Sequence, residues 1–433
     1  MLRRNGPGGS GVRPVVENIT TVASPPARGA TPERPSYGIG AAIVAMALGG
    51  FGIGTSEFVT MGLLPDISRD VMITIPQAGH AITAYALGVV VGAPLITVAV
   101  ARLPRKGLLV ALMAAFAVGN AATALAGGYG TLVAARFAAG LPHGAYFGIA
   151  ALFAASLVER GRRARAVASL MMGLSVANVI GVPAATWLGQ QLGWRAAFWA
   201  VTVIALVTVV GLALALPRRT SDPSAGALRE LGALRRPQVL LTLAVGTVGF
   251  GGMFAMYSYI APTMTQLGGI DERWIPAVLV AVGVGMVVGT WIAGRLVDRS
   301  VIRSLVGGLV TMAVLLVAIS VTAQWAAVAV ALIVVMMTAT SVLVLGLQVR
   351  LMDVAGDAQT LGASLNHAAL NAANALGAWL GGLVIAAGLG YRAPALAGVA
   401  LAGAGLLVLA WSLRLERRSL SGAKRSGGRA APR

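Results

Sequence analysis

The sequence predicts an all-α integral membrane protein, with twelve transmembrane helices in two pseudo-symmetric six-helix bundles. Three observations predict it. Of 433 residues, 57% are hydrophobic and only 11% charged, more apolar surface than soluble domains of this length can hide. Twelve stretches of about twenty residues or more are almost free of Asp, Glu, Lys and Arg. Short markers also recur at one fixed offset in the two halves. The same composition excludes disordered, coiled-coil and collagen-like chains and an ordinary cytosolic enzyme. Cysteine is absent, which removes disulfides, thiolate nucleophiles, thiolate metal sites and a lipoprotein Cys.

The spans fall at 38–64, 78–101, 107–127, 131–156, 166–189, 196–216, 239–262, 275–297, 304–323, 326–349, 360–386 and 394–413. Backbone groups in lipid need internal partners, and these Ala/Leu/Val/Gly runs lack the alternation of a barrel, so they are helices. Spans nine and ten share a 46-residue run without charge, Ser304 to Val349, which has to fold back on itself. Gln324-Trp325 is the expected turn. Residues 1–36, rich in Gly, Pro, Arg and Ser, read as a disordered tail. Met1-Leu-Arg-Arg lacks the apolar stretch that a twin-arginine signal requires. Residues 217–238 form a polar linker between an N-terminal bundle, 37–216, and a C-terminal bundle, 239–413; a basic tail, 414–433, follows.

Charge placement sets the orientation. The two tails and the loops on their side carry 28 Lys and Arg; the opposite loops carry 4, Arg69, Arg195, Arg273 and Arg392. That bias puts both termini in the cytoplasm, with the body in the cell membrane. The net charge of +19 is thus topology and contact with anionic lipid, not nucleic-acid binding, since no folded basic module with interleaved aromatics is present.

Duplication is visible at an offset of 197, which carries Arg195 to Arg392 and Arg102 to Arg299. The informative positions do not repeat. Glu57 maps to Phe254 and Arg136 to Ile333, so the membrane-embedded acid and base belong to the first half alone. Glu57 lies about 12 Å below the outer end of span one and Arg136 about 8 Å below that of span four, by helical rise. A charge at mid-bilayer costs about 2.5–3.5 kcal/mol on insertion scales. Residues that costly usually face a cavity, and a carboxyl poised between dry surroundings and a guanidinium can take up and release a proton. A static ion pair is the competing reading. His143 lies mid-span in Gly140-Leu-Pro-His-Gly-Ala-Tyr-Phe-Gly148, and it and Tyr146 are candidate residues of the substrate cavity. The histidine either relays protons or contacts substrate, or simply bonds a neighbouring helix. His367, Asn371 and Asn374 share one face of span eleven, and Phe250, Phe254 and Tyr257 one face of span seven. Both stripes are candidate walls of a substrate cavity, with packing as the alternative. Gly140, Gly144 and Gly148 form a smooth stripe for close helix contact, while Gly173, Gly181 and Pro183 suit a bendable span five. No metal cluster, ATP-binding loop or hydrolase motif is evident, so no cofactor is expected.

Gly54-Thr-Ser-Glu57-Phe58 with Gly62-Leu-Leu-Pro-Asp66 resembles the span-one signature of the major facilitator superfamily, in its bacterial drug:proton antiporter branch of arabinose-efflux-like and chloramphenicol-resistance-like permeases. Arg136-Phe-Ala-Ala-Gly140 resembles the span-four motif, Gly173 to Pro183 the span-five antiporter motif, and Gly294-Arg-Leu-Val-Asp298-Arg299 the gating loop after span eight. The matching first-half loop, Ala101-Arg-Leu-Pro-Arg-Lys106, lacks the motif's Asp. The resemblance implies two bundles rocking about a central cavity, proton coupling through Glu57 and Arg136, and gating or hinge roles for Gly173, Gly181, Pro183, Gly294, Asp298 and Arg299. The expected function is a monomeric, proton-coupled exporter of a small amphipathic molecule such as a phenicol, a sugar or a nucleoside. Its partners are protons, the small molecule and lipid. Rival readings are a proton-independent facilitator or importer, and a transporter-like sensor or scaffold.

Overall fold

A computed structural model describes residues 37–99, 103–217, 235–356 and 359–427. Residues 1–36, Arg102, most of the 217–238 linker and the last six residues lie outside that set. Twelve helices are long and apolar enough to cross a membrane: Gly38–Gly62, Ile75–Ile96, Arg105–Ala124, Tyr129–Ser156, Arg165–Leu192, Trp194–Ala215, Pro237–Tyr257, Glu272–Arg299, Val301–Thr322, Ala326–Ala355, Leu365–Ala386 and Ala393–Arg418. They are spans one to twelve. Successive spans alternate direction, so the ends of the even spans share one side with the linker, here the linker face; the opposite side is the distal face.

The packing repeats. In the first half, span one lies against spans five and six, span two against four, and span three against four and six. The second half copies this six positions later: seven against eleven and twelve, eight against ten, nine against ten and twelve. Contacts between the halves obey the same operation, because span two meets eleven while span eight meets five. At the second crossing Gly283 abuts the backbone of Asn178, leaving no room for a Cβ. The repeated arginines play equivalent parts. Arg195 Nη2 donates to the Ala126 carbonyl just past span three (2.9 Å), and Arg392 Nη2 to Gln324 Oε1 just past span nine (2.6 Å).

Three local features depart from the sequence reading. Span one ends at Gly62, and the segment expected to be loop holds a short helix, Leu64–Val71. Pro65 sits in its first turn, where the missing N–H costs no hydrogen bond. The last helix runs on to Gly427, through much of the expected tail. Its extension is anchored by Glu416, whose carboxylate accepts from Arg350 Nη2 (2.7 Å) at the end of span ten. Span five is not α-helical throughout, since Ala177–Gly181 form a π turn. Pro183 follows after Val182, and proline cannot donate to the residue four before it, which relaxes the ladder there. A second π turn, Val245–Gly249, precedes Phe250 in span seven. The turn between spans nine and ten occupies residues 323–325, as the 46-residue run requires.

Candidate functional site

Span one brings two adjacent residues to bear in different directions, because neighbours on a helix point about 100° apart. Ser56 faces the interior of the first half. Its hydroxyl donates to Asn120 Oδ1 of span three (2.6 Å). Arg136 of span four is fully buried and donates from Nη1 to Ser56 Oγ (3.0 Å) and from Nη2 to the Ser56 carbonyl (3.1 Å). Its guanidinium carbon lies 4.2 Å from the Tyr85 ring centroid and 5.4 Å from that of Phe198. The fixed planar fork suits this double contact, and the ring faces offset part of the cost of burying the charge. Only Nε is left without a partner.

Glu57 takes the other direction. It is 7% exposed and lies in the field of Arg136, yet forms no ion pair with it. Its polar neighbour is Asn374, across the boundary in span eleven. Neither Nδ2 nor Oδ1 of Asn374 makes a hydrogen bond of normal geometry. Asn366 Oδ1 and Asn371 Oδ1 on the same span are also buried without partners, while Asn371 Nδ2 is used on the His367 carbonyl (3.1 Å). Buried amides are normally satisfied, so four orphaned atoms on one helix beside a carboxylate mark a place where a ligand or water is wanted.

The structure gathers most of the expected residues. Phe58 stacks on Phe254 (6.5 Å between centroids) and tilts against Tyr257 (6.2 Å), and Phe250 packs edge-on to Phe254 (5.6 Å). His143 Nδ1 pairs with the Tyr85 hydroxyl (3.1 Å), the neighbour-bonding alternative noted above. Phe147 bridges the halves, edge-on to His143 (5.4 Å) and stacked on His367 (6.0 Å). A continuous line thus runs from Asn120 through Ser56, Arg136, Tyr85, His143 and Phe147 to His367. Tyr146 packs edge-on to Phe147 (6.0 Å), with its hydroxyl used on the Met46 carbonyl (2.9 Å) and its ring wholly buried within the first half. Gly140 and Gly144 meet span two and Gly173 the Ala47 carbonyl, whereas Gly148 and Gly294 have open space. Asp298 and Arg299 are exposed at the linker-face end of span eight, without an ion pair among the described residues. Ser56, Phe58, Tyr85, Asn120, Phe147 and Asn366 were not singled out from sequence. Ser56 and Phe58 flank Glu57 in the span-one signature, and the others are uncharged residues with no pattern to mark them.

Both aromatic and amide stripes are packed against their neighbours here. One cavity, of about 270 Å³, straddles the halves between Asn178 of span five and Thr290, Ser341 and Gln348 of spans eight and ten; Glu57 is not among its walls. The distal face is closed. Arg69 of the short helix binds Asp66 (2.7 Å) and reaches over to Glu272 of the second half (2.7 Å), while Gln190 Nε2 donates to the Glu272 carbonyl (2.7 Å). Burial pushes the Asp66 carboxyl up, against the opposing pull of Arg69. Hydrogen bonds from Trp194 Nε1 (2.9 Å) and Arg195 hold Asp70 below the usual carboxylate range.

Residues 46–361 match the Major Facilitator Superfamily. The chain belongs to that superfamily. It is a membrane transporter of small molecules, not an enzyme. It is 43% identical over 374 residues to the inner membrane transport protein YdhP of Escherichia coli K12, covering 86% of this chain and 96% of YdhP. It is also 39% identical over 268 residues to a chloramphenicol resistance protein of Streptomyces lividans, covering 61% of this chain and 67% of that protein. Among solved structures, a D-xylose–proton symporter superposes with a TM-score of 0.67 at 18% identity, over 86% of this chain and 97% of the other. That likeness is one of fold.

Proposed function

We propose that this superfamily member is a proton-coupled antiporter of the bacterial drug-efflux branch. It sits in the inner membrane with its linker face cytoplasmic and expels a small amphipathic molecule. One observation carries the reading: Glu57 is buried beside the orphaned amide of Asn374 at the boundary between the halves, while Arg136 is held away from it by Ser56. A carboxyl so placed can exchange a proton without breaking an ion pair. The basic side of the chain supports the orientation. YdhP, an inner membrane transport protein, supports the membrane and the transport, and the Streptomyces relative, a chloramphenicol resistance protein, supports a drug-like solute.

In the cycle proposed, Glu57 is protonated from the outward-open side as substrate leaves. It gives the proton up when substrate enters from the cytoplasm and contacts the amides of Asn366, Asn371 and Asn374. An inward-directed potential contributes about 2.3 kcal/mol per charge per 100 mV, enough to bias the direction. The aromatic faces of Phe250, Phe254 and Tyr257 offer the apolar side of the binding surface once the packed halves separate.

The test is substrate-driven proton flux in proteoliposomes, with phenicols, dyes and sugar analogues as candidate substrates. Glu57→Gln is expected to abolish coupled flux while leaving downhill exchange of the solute. Coupled flux at wild-type rate in Glu57→Gln would refute the mechanism.

A further inference from the structure

A second, larger cavity lies away from the boundary between the halves. It measures about 470 Å³ and is lined by spans eight, nine and ten. Its linker-face end is formed by Arg299, Ser300, Arg303 and Ser304. Farther in, along span nine to Thr311, the walls are largely apolar, with Val335 and Val342 supplied by span ten. Eleven residues separate Ser300 from Thr311, so the groove extends about 16 Å into the bilayer.

The polar end offers the donors that an anion seat needs. Neither Arg299 nor Arg303 makes a side-chain hydrogen bond or ion pair among the described residues. Ser304, 8% exposed, also lines this end, and its hydroxyl makes no hydrogen bond among the described residues. Nearby charges do not neutralise the pair. Asp298 does not line the cavity and pairs with neither arginine among the described residues, and Arg295 lies over the Trp291 ring, 3.9 Å from its centroid. The internal repeat sharpens the contrast. Arg303 is the 197-offset counterpart of Lys106, whose Nζ is used on the Leu216 carbonyl (2.7 Å) at the end of span six. The second half therefore keeps free a cation that the first half uses to tie its helices together.

We infer that this cavity binds one anionic phospholipid, with the phosphate between Arg299 and Arg303 and an acyl chain in the groove. Basic pockets between spans at a membrane surface take such headgroups, and the apolar depth suits a chain rather than a soluble anion.

The experiment uses the purified full-length protein, delipidated in detergent and titrated with dioleoyl-phosphatidylglycerol under native mass spectrometry. One lipid per chain is expected to be retained, in preference to dioleoyl-phosphatidylcholine. Each arginine contributes about fivefold, so Arg299→Gln with Arg303→Gln is expected to weaken retention about 25-fold. Arg295→Gln is expected to leave it unchanged. A Cβ at Gly307, which lines the groove, would meet nothing within 4 Å, so Gly307→Leu places a side chain in the groove and is expected to expel the lipid with both arginines intact. Equal retention of the two lipids would overturn the assignment, as would undiminished retention in Gly307→Leu. Displacement by inorganic phosphate alone would instead mean a soluble-anion seat and also overturn it.

Discussion

Arg136 is buried completely, and what it touches explains why a charge is tolerated there. Two hydrogen bonds to one serine, Ser56, and two ring faces offset part of its desolvation. A lysine carries the same charge but lacks the planar fork. Arg136→Lys is therefore expected to lose about 2 kcal/mol of stability, read as a lower unfolding temperature in detergent. Glu57→Gln is expected to leave that temperature close to wild type, because no ion pair is broken. These two residues were legible in the sequence because a charge inside an apolar run has few innocent explanations. Ser56, Asn120 and Tyr85 were not, since an uncharged polar residue suits a helix interface as well as a site. Tyr146 marks the opposite limit, an aromatic beside His143 whose hydroxyl is fully employed in packing.

At the level of single helices, hydropathy located all twelve spans to within a few residues, since twenty apolar residues in lipid have only one regular structure open to them. The short helix Leu64–Val71 escaped notice because its residues are mixed in polarity and sit beyond the apolar run. The π turns escaped because they are small deviations inside continuous helices, though Pro183 marks one of them. Close approach is where substitution is expected to tell. A Cβ at Gly173 would collide with the Ala47 carbonyl, so Gly173→Val is expected to push span five off span one. Overpacking of this kind costs about 1–3 kcal/mol. Gly294→Val, with nothing within 4 Å of the new atom, is the matched control and is expected to change the unfolding temperature little.

For the molecule as a whole, the repeat was legible from two arginines at one offset, and the helix packing carries it through every pair. The distal closure was not, because Arg69 and Glu272 lie 203 residues apart and in different halves. Its neighbour Asp70 ties the short helix to Trp194 and Arg195, with its carboxyl held below the ordinary range. A depressed carboxyl stabilises the fold fully above its unfolded value, about 3.9, and loses that contribution as pH falls through the lower folded value. Asp70→Asn is therefore expected to unfold at a lower temperature than wild type at pH 6. The difference is expected to shrink steadily below about pH 4, as thermal melts across that range would reveal. Asp66, raised by burial, has the opposite sign, so its ionisation weakens the fold as pH climbs through its window.

The crossings of span two with eleven and of span five with eight are exchanged by the repeat, and the crossing of five with eight is tight enough at Gly283 to exclude even a methyl group. Two such equivalent pivots on either side of the molecule define a fulcrum. Under the function proposed above, halves hinged there would tilt as levers: prying the helices apart at one membrane surface would drive them together at the other, so that both mouths could not gape at once and the barrier against free leakage would be built into the pairing of the helices itself.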